Sequence, residues 1–299
     1  MFDALLVLNI AAGTIERIDL SDGSIRALVD DAGAAPDGIA HDAESGRIYW
    51  TIMGRPEVVG SGPDAEFDFS AKNGALYSAN VDGTDRREIL PVGAITTGKQ
   101  LTAVLAAGQL YWGDREGCKV SRVDIDGTGL TDLVVNAPVG DIMQECVGIA
   151  VDPAAGYLYW TQKGPSKGGK GRILRTGLDI PEGETAADRT DIEVLWDNLP
   201  EPIDLHLDGD VLYWTDRGAE PSGNTLNRAA VPGPGERGAQ PEVLAGGFHE
   251  AIGLAVDSAA GTAYVTDLGG TVRAVPLTAG SEERVVARIE GRLTGIVGM

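Results

Sequence analysis

Cysteine is nearly absent: Cys118 and Cys146 are the only two in 299 residues. A disulfide framework is therefore excluded, and a reducing compartment fits the chain best. No stretch approaches the roughly 20 consecutive apolar residues that span a membrane. At the N-terminus, "MFDALLVLNIAAG" has Asp3 where an export signal would be basic. These features predict a cytoplasmic protein that neither inserts in a membrane nor is secreted. Positive charge is scarce too, with 24 Lys and Arg against 45 Asp and Glu, a formal net charge of -21. Nucleic-acid backbones and anionic lipids are disfavoured partners for such a surface. No segment keeps a helical hydrophobic period, so an all-β fold is predicted.

A repeat is present instead. An apolar segment, a small turn and an aromatic strand recur in "DGIAHDAESGRIYWT" (37–51), "TAVLAAGQLYWGD" (102–114), "VGIAVDPAAGYLYWTQ" (147–162), "IDLHLDGDVLYWTD" (203–216) and "IGLAVDSAAGTAYVTD" (252–267). Two further β-like runs follow each copy, often around an Asp-Gly turn, as in "KVSRVDI" and "DLVVN" flanking "DGTG". Four strands in about 50 residues is the unit of a propeller blade. The ends supply a sixth: "ALLVLN", "TIERIDL" and "SIRALV" lack an innermost strand, and "LTGIVGM" (293–299) is one with nothing after it. The prediction is one six-bladed β-propeller domain over 1–299, with both termini closing one blade.

The motifs Tyr111–Asp114 and Tyr213–Asp216, with "YWT" at 49–51 and 159–161 and "YVTD" at 264–267, resemble the YWTD, or LDL-receptor class B, repeats of six-bladed propellers. The architecture is broadly similar to that of the gluconolactonase and strictosidine-synthase superfamily. The receptor modules are secreted and followed by a disulfide-rich module; without either feature this chain resembles a stand-alone microbial type.

In a four-stranded antiparallel blade, the loop entering the innermost strand and the loop joining the second and third strands lie at one end. The entering loops place Ala35, Gln100, Glu145, Glu201, Glu250 and Arg292 at one equivalent position. Convergent carboxylates can bind a cation or act as acid and base. Glu201, Glu250, Asp204 and His249 are the candidate catalytic residues, with Gln100, Glu145, Lys163, Lys167, Arg217 and Arg292 for substrate. Asp204 stands where other repeats carry Gly or Ala. Glu201, Asp204, Glu250 and Asp37 are candidate ligands for calcium or magnesium, since oxygen donors favour hard cations. In metal-dependent lactonases an Asn or Asp often precedes the Gly-type residue of particular repeats, and Asp37 is the match here. "GPSKGGKG" (164–171) approaches a phosphate-binding loop, but Gly171 replaces the needed Ser or Thr and a strand is predicted next, so no nucleotide cofactor is expected. The lysines of this loop read instead as solvated cations or as a grip on a carboxylate or phosphate. Asp114 and Asp216 read as architectural, and the long segment 53–73 as a binding loop or lid. The functional expectation is a small-molecule enzyme, most concretely a lactone or ester hydrolase, with a cyclase, lyase or isomerase as variants. The alternative is a protein-interaction propeller without catalysis.

Overall fold

In a computed structural model that describes residues 1–60, 66–278 and 280–299, the chain forms six four-stranded antiparallel sheets and one two-stranded hairpin. The innermost strands follow one another around a common axis. Blade 1 is closed by both termini: Leu293–Gly298 pairs antiparallel with Ala4–Asn9, setting Leu6 opposite Val297 and Val7 opposite Ile296. Blades 2 to 6 begin with the inner strands Pro36–Asp42, Gly98–Val104, Ile149–Asp152, Pro202–Asp208 and Ala251–Asp257.

The core lies between blades. Each aromatic strand turns its Trp and Tyr to opposite faces, because side chains alternate along a strand, so each blade contributes to the layers on both sides. Trp214 of blade 5 packs with Trp196, Leu195 and Tyr159 of blade 4, while Tyr213 packs with Leu254 and Val265 of blade 6. Trp50, Trp112, Trp160 and Trp214 are each at most 2% exposed.

Near the axis the joints are polar. Thr51, Thr161, Thr215 and Thr266 each accept a backbone N–H from their own inner strand. Each hydroxyl also donates to a carbonyl of the next blade, at Lys99, Ile203, Ile252 and Thr294 respectively. Blade 3 has Gly113 instead, because a Cβ there would sit 2.6 Å from the Val147 carbonyl. The aspartates of the repeat are architectural, as their sequence context implied. Asp114 accepts the N–H groups of Thr96 and Thr97, and Asp216 those of Glu201 and Gly218. Each pins the loop that enters its own inner strand.

Candidate functional site

Strand register fixes which residues share a level around the axis, and it corrects one sequence reading. Trp50, Trp112, Trp160 and Trp214 pair with Ile39, Leu101, Ile149 and Leu205. Gln100 is therefore the counterpart of Gly38, Gly148, Asp204, Gly253 and Gly295, and not a member of the entering-loop ring. Thr97 takes that place: its carbonyl accepts the Arg115 N–H, just as the carbonyls of Arg292, Ala35, Glu201 and Glu250 accept those of Ile10, Met53, Arg217 and Leu268. The misreading arises because the inner strand of blade 3 runs into a short 3-10 turn, Leu105–Ala107, whose apolar residues imitate the strand.

With this register, the site has three levels. Its floor is Asp37, Lys99, Val147, Ile203, Ile252 and Thr294. Val147, Ile203 and Ile252 pack together as an apolar plug. Opposite them, Lys99 and Asp37 form a buried ion pair: the Lys99 Nζ donates to an Asp37 oxygen, and the Gln100 Nε2 donates to the other at 3.2 Å. Asp37 is 1% and Lys99 7% exposed. Burial lowers the Lys99 pKa, with the positive charges of Arg115 and Arg217 acting in the same direction and Asp37 opposing.

The wall is made by the residue three places after each aromatic-strand Trp or its counterpart: Ile10, Met53, Arg115, Lys163, Arg217 and Leu268. Three consecutive blades thus supply cations and three supply apolar side chains. Above them the rim carries Ala35, Thr97, Glu145, Glu201, Glu250 and Arg292. Its acids face the wall cations. The Arg217 Nε donates to Glu201 at 2.7 Å, and a second guanidinium nitrogen lies 3.9 Å from Glu250. Lys163 lies 3.1 Å from Glu145, and the Lys167 Nζ lies 3.5 Å from Glu250 while its backbone N–H donates to Glu201 at 2.9 Å.

These contacts rearrange the expected site. The rim carboxylates come together, but each against a cation, so they form no acidic ring. Among the described residues no three His, Cys, Asp or Glu converge as metal ligands. The expected calcium or magnesium grouping of Asp37, Glu201, Asp204 and Glu250 does not form. Glu201 is fully buried against Arg217, Asp37 against Lys99, and both Asp204 oxygens are occupied by backbone N–H groups. Such a donor set does not suit a divalent ion. Lys163 is buried in its own ion pair and so does not reach for a substrate, whereas Lys167 is half exposed at the rim. His249 is exposed, and its backbone N–H is bonded to Asp267. The strand Gly171–Gly177 follows the basic loop, as its sequence implied.

Between floor and rim lies a cavity of about 500 Å³. Among the described residues Lys99, Arg115, Arg217, Arg292 and Arg55 reach it together with a single carboxylate, Asp37; Ile10, Met53, Ile252 and Leu268 form the apolar side. The segment 53–73 contributes part of the roof. It folds as a hairpin of Glu57–Val59 with Glu66–Asp68, and Pro56, Phe67 and Phe69 border the cavity. Arg115 stacks 5.4 Å from the Phe69 ring centre. Residues 61–65 of that segment lie outside the described residues. Lys99 and Arg115 were not among the candidate site residues read from the sequence. The spacing could have found both: Gln100 to Trp112 is twelve residues, as Gly38 to Trp50 and Gly148 to Trp160 are.

Asp204 lies below the floor. It lines a second axial cavity of about 250 Å³, open towards the opposite face, with His41, His206 and Gln100. Its carboxylate accepts the N–H groups of Leu205 and Leu254 at 2.9 Å each. Burial nonetheless pushes its pKa up to about 8, and that of Asp216 up to about 6. A carboxyl whose folded pKa exceeds its unfolded value stabilises the fold below the unfolded pKa and loses that contribution as pH rises through the folded one. The molecule is therefore expected to lose stability from about pH 4 to about pH 8. Asp204→Asn should abolish the loss between pH 6 and 8 and reduce that between 4 and 6 to the share of Asp216, since both carboxyls contribute there; melting temperatures across that range check this. An unchanged slope between pH 6 and 8 would contradict it.

No protein-family model matches the chain. It is 41% identical over 291 residues to low-density lipoprotein receptor-related protein 1 of Pyricularia oryzae, an alignment covering 92% of this chain and 89% of the relative. It is 37% identical over 303 residues to the 3-hydroxyacyl-CoA dehydrogenase-like protein LAM1 of Cochliobolus heterostrophus, covering 96% of this chain but 61% of that relative. Among solved structures, a chain of the nidogen/laminin complex superposes with a TM-score of 0.72 over 98% of this chain and 97% of its own length, at 21% identity, a likeness of fold.

Proposed function

Because this chain belongs to the family of YWTD six-bladed β-propellers related to the low-density lipoprotein receptor, a fold that carries many functions, we propose from the site itself that its axial cavity binds and acts on a small amphipathic organic anion. One observation carries this reading. In a chain of net charge -21, five basic side chains and one carboxylate among the described residues line one cavity, with an apolar wall facing them. Guanidinium groups pair with carboxylate or phosphate through two parallel hydrogen bonds, and the apolar side would receive the hydrocarbon part of the same molecule.

The chemistry would come from the floor. Asp37 and Lys99 place a carboxylate and an amine in contact at the cavity's base, where water is scarce and proton transfer between them is short. Lactone or ester opening remains the concrete reaction class for such a pair, in a form that needs no metal: Asp37 would orient or deprotonate a water, and Lys99 would stabilise the developing oxyanion. A panel of lactones and esters bearing a free carboxylate tests this. Turnover by the wild type that falls at least about 100-fold in Asp37→Asn supports the reading, and turnover unchanged by that substitution removes the floor pair from the chemistry.

A second reading is favoured by the hairpin, whose Val58, Val59 and Phe67 are 62%, 52% and 63% exposed beside the mouth. Those side chains would suit a macromolecular partner, and the matched nidogen chain comes from a complex with laminin. Replacing all three by Ser would abolish such docking while leaving anion binding in the cavity intact.

A further inference from the structure

Of the six lysines in the chain, Lys99 lines the axial cavity. Lys163 is turned away into its pair with Glu145, and Lys72, Lys167 and Lys170 are exposed. Lys99 also differs in what surrounds its nitrogen. It touches one carboxylate, Asp37, and the Met53 sulfur at 3.3 Å, with Arg115 and Arg217 bordering the same cavity. Buried ion pairs add little net stability compared with apolar side chains of similar size. Val147, Ile203 and Ile252 show that the same level of the axis is elsewhere filled by such side chains. A pair retained at the base of a cation-lined cavity therefore calls for a chemical role.

We propose that Lys99 is a nucleophilic amine that forms an imine with the carbonyl carbon of an oxo acid held in the cavity by its carboxylate. This rests on the anion-binding reading above and specifies its substrate class. Asp37 takes one proton from the Lys99 ammonium, and the amine adds to the ketone carbon. The proton that the adduct nitrogen sheds passes to the former carbonyl oxygen and gives the neutral carbinolamine. Asp37 then returns a proton to the departing hydroxyl, and the nitrogen lone pair expels water to leave the imine. The sum is ammonium plus ketone giving protonated imine plus water, with Asp37 ionised at start and end and no oxidant or reductant. Desolvation and neighbouring cations are the conditions that activate a lysine for this step, and both act on Lys99. Arg115 and Arg217 would hold the substrate carboxylate, while Ile252 and Leu268 would receive an apolar substituent.

The test uses phenylpyruvate and its alcohol, phenyllactate, which keeps the carboxylate and the ring but has no ketone. The full chain is incubated with phenylpyruvate and sodium cyanoborohydride, digested and mapped by mass spectrometry. The expected result is a reduced adduct on the Lys99 peptide in at least about ten-fold excess over that on Lys72, Lys167 or Lys170, as proximity in a bound complex dictates. Excess phenyllactate should suppress it. The mapping is made on the wild type, so a variant that fails to fold does not obscure it; Lys99→Arg, which keeps a cation against Asp37, should lose the adduct. If phenyllactate raises the melting temperature but adducts are absent or spread over exposed lysines, the imine proposal fails and the binding reading stands. If neither acid shifts the melting temperature and no adduct forms at Lys99, both fail.

Discussion

Deletion of residues 293–299 is expected to remove on the order of 5–10 kcal/mol from a fold whose total stability is about 5–15 kcal/mol, leaving the chain unfolded or barely folded at room temperature. The size follows from what the strand joins. Leu293 and Ile296 are 0% and 4% exposed in the layer shared by blades 6 and 1. Thr294 accepts the Thr266 hydroxyl from blade 6 and donates to the Pro36 carbonyl of blade 2 at 2.8 Å. Loss of the strand would also expose the edge of Ala4–Asn9, inviting edge-to-edge association. Circular dichroism melting and sedimentation check both consequences. An unchanged melting temperature would overturn the closure.

Arg217→Gln is expected to have the second largest effect, and on two separate properties. It leaves Glu201, fully buried, as an unpaired charge, a loss of about 3–5 kcal/mol. It also removes charge-assisted hydrogen bonds to the ligand, worth about 1.5–3 kcal/mol, or roughly 10- to 100-fold in affinity. The double variant Glu201→Gln with Arg217→Gln separates the two. Stability should return towards the wild type because both charges are gone, while affinity for a carboxylate stays low. Recovery of binding together with stability would make Arg217 a scaffold residue.

Much of this architecture was legible in the sequence because the repeat carries its own physical reasons. Aromatic strands recur since their Trp and Tyr fill the layers between blades, and "LTGIVGM" reads as a missing inner strand because the N-terminal strands start a blade without one and it is a lone strand of that type. The site was legible only in part. Acids at Glu145, Glu201 and Glu250 read as a ring because their partners lie far away in sequence. Arg217 follows Glu201 by 16 residues, and Lys163 follows Glu145 by 18. The three-dimensional pairing turns apparent repulsion into alternating charge. Lys99 was hidden by the 3-10 turn of blade 3, which shifted the apparent register by three residues. The basic loop at 163–170 illustrates the same limit, since its charge was evident while the burial of Lys163 depends on Glu145 in the loop entering the same blade.

Titration calorimetry of the wild type with phenyllactate and with its neutral amide, at low and at moderate salt, tests the central claim most directly. Binding of the acid at least about ten-fold tighter than the amide, weakening as salt rises, is the result expected of a cationic cavity. Equal affinity for acid and amide, or preference for an amine of the same shape, would contradict it.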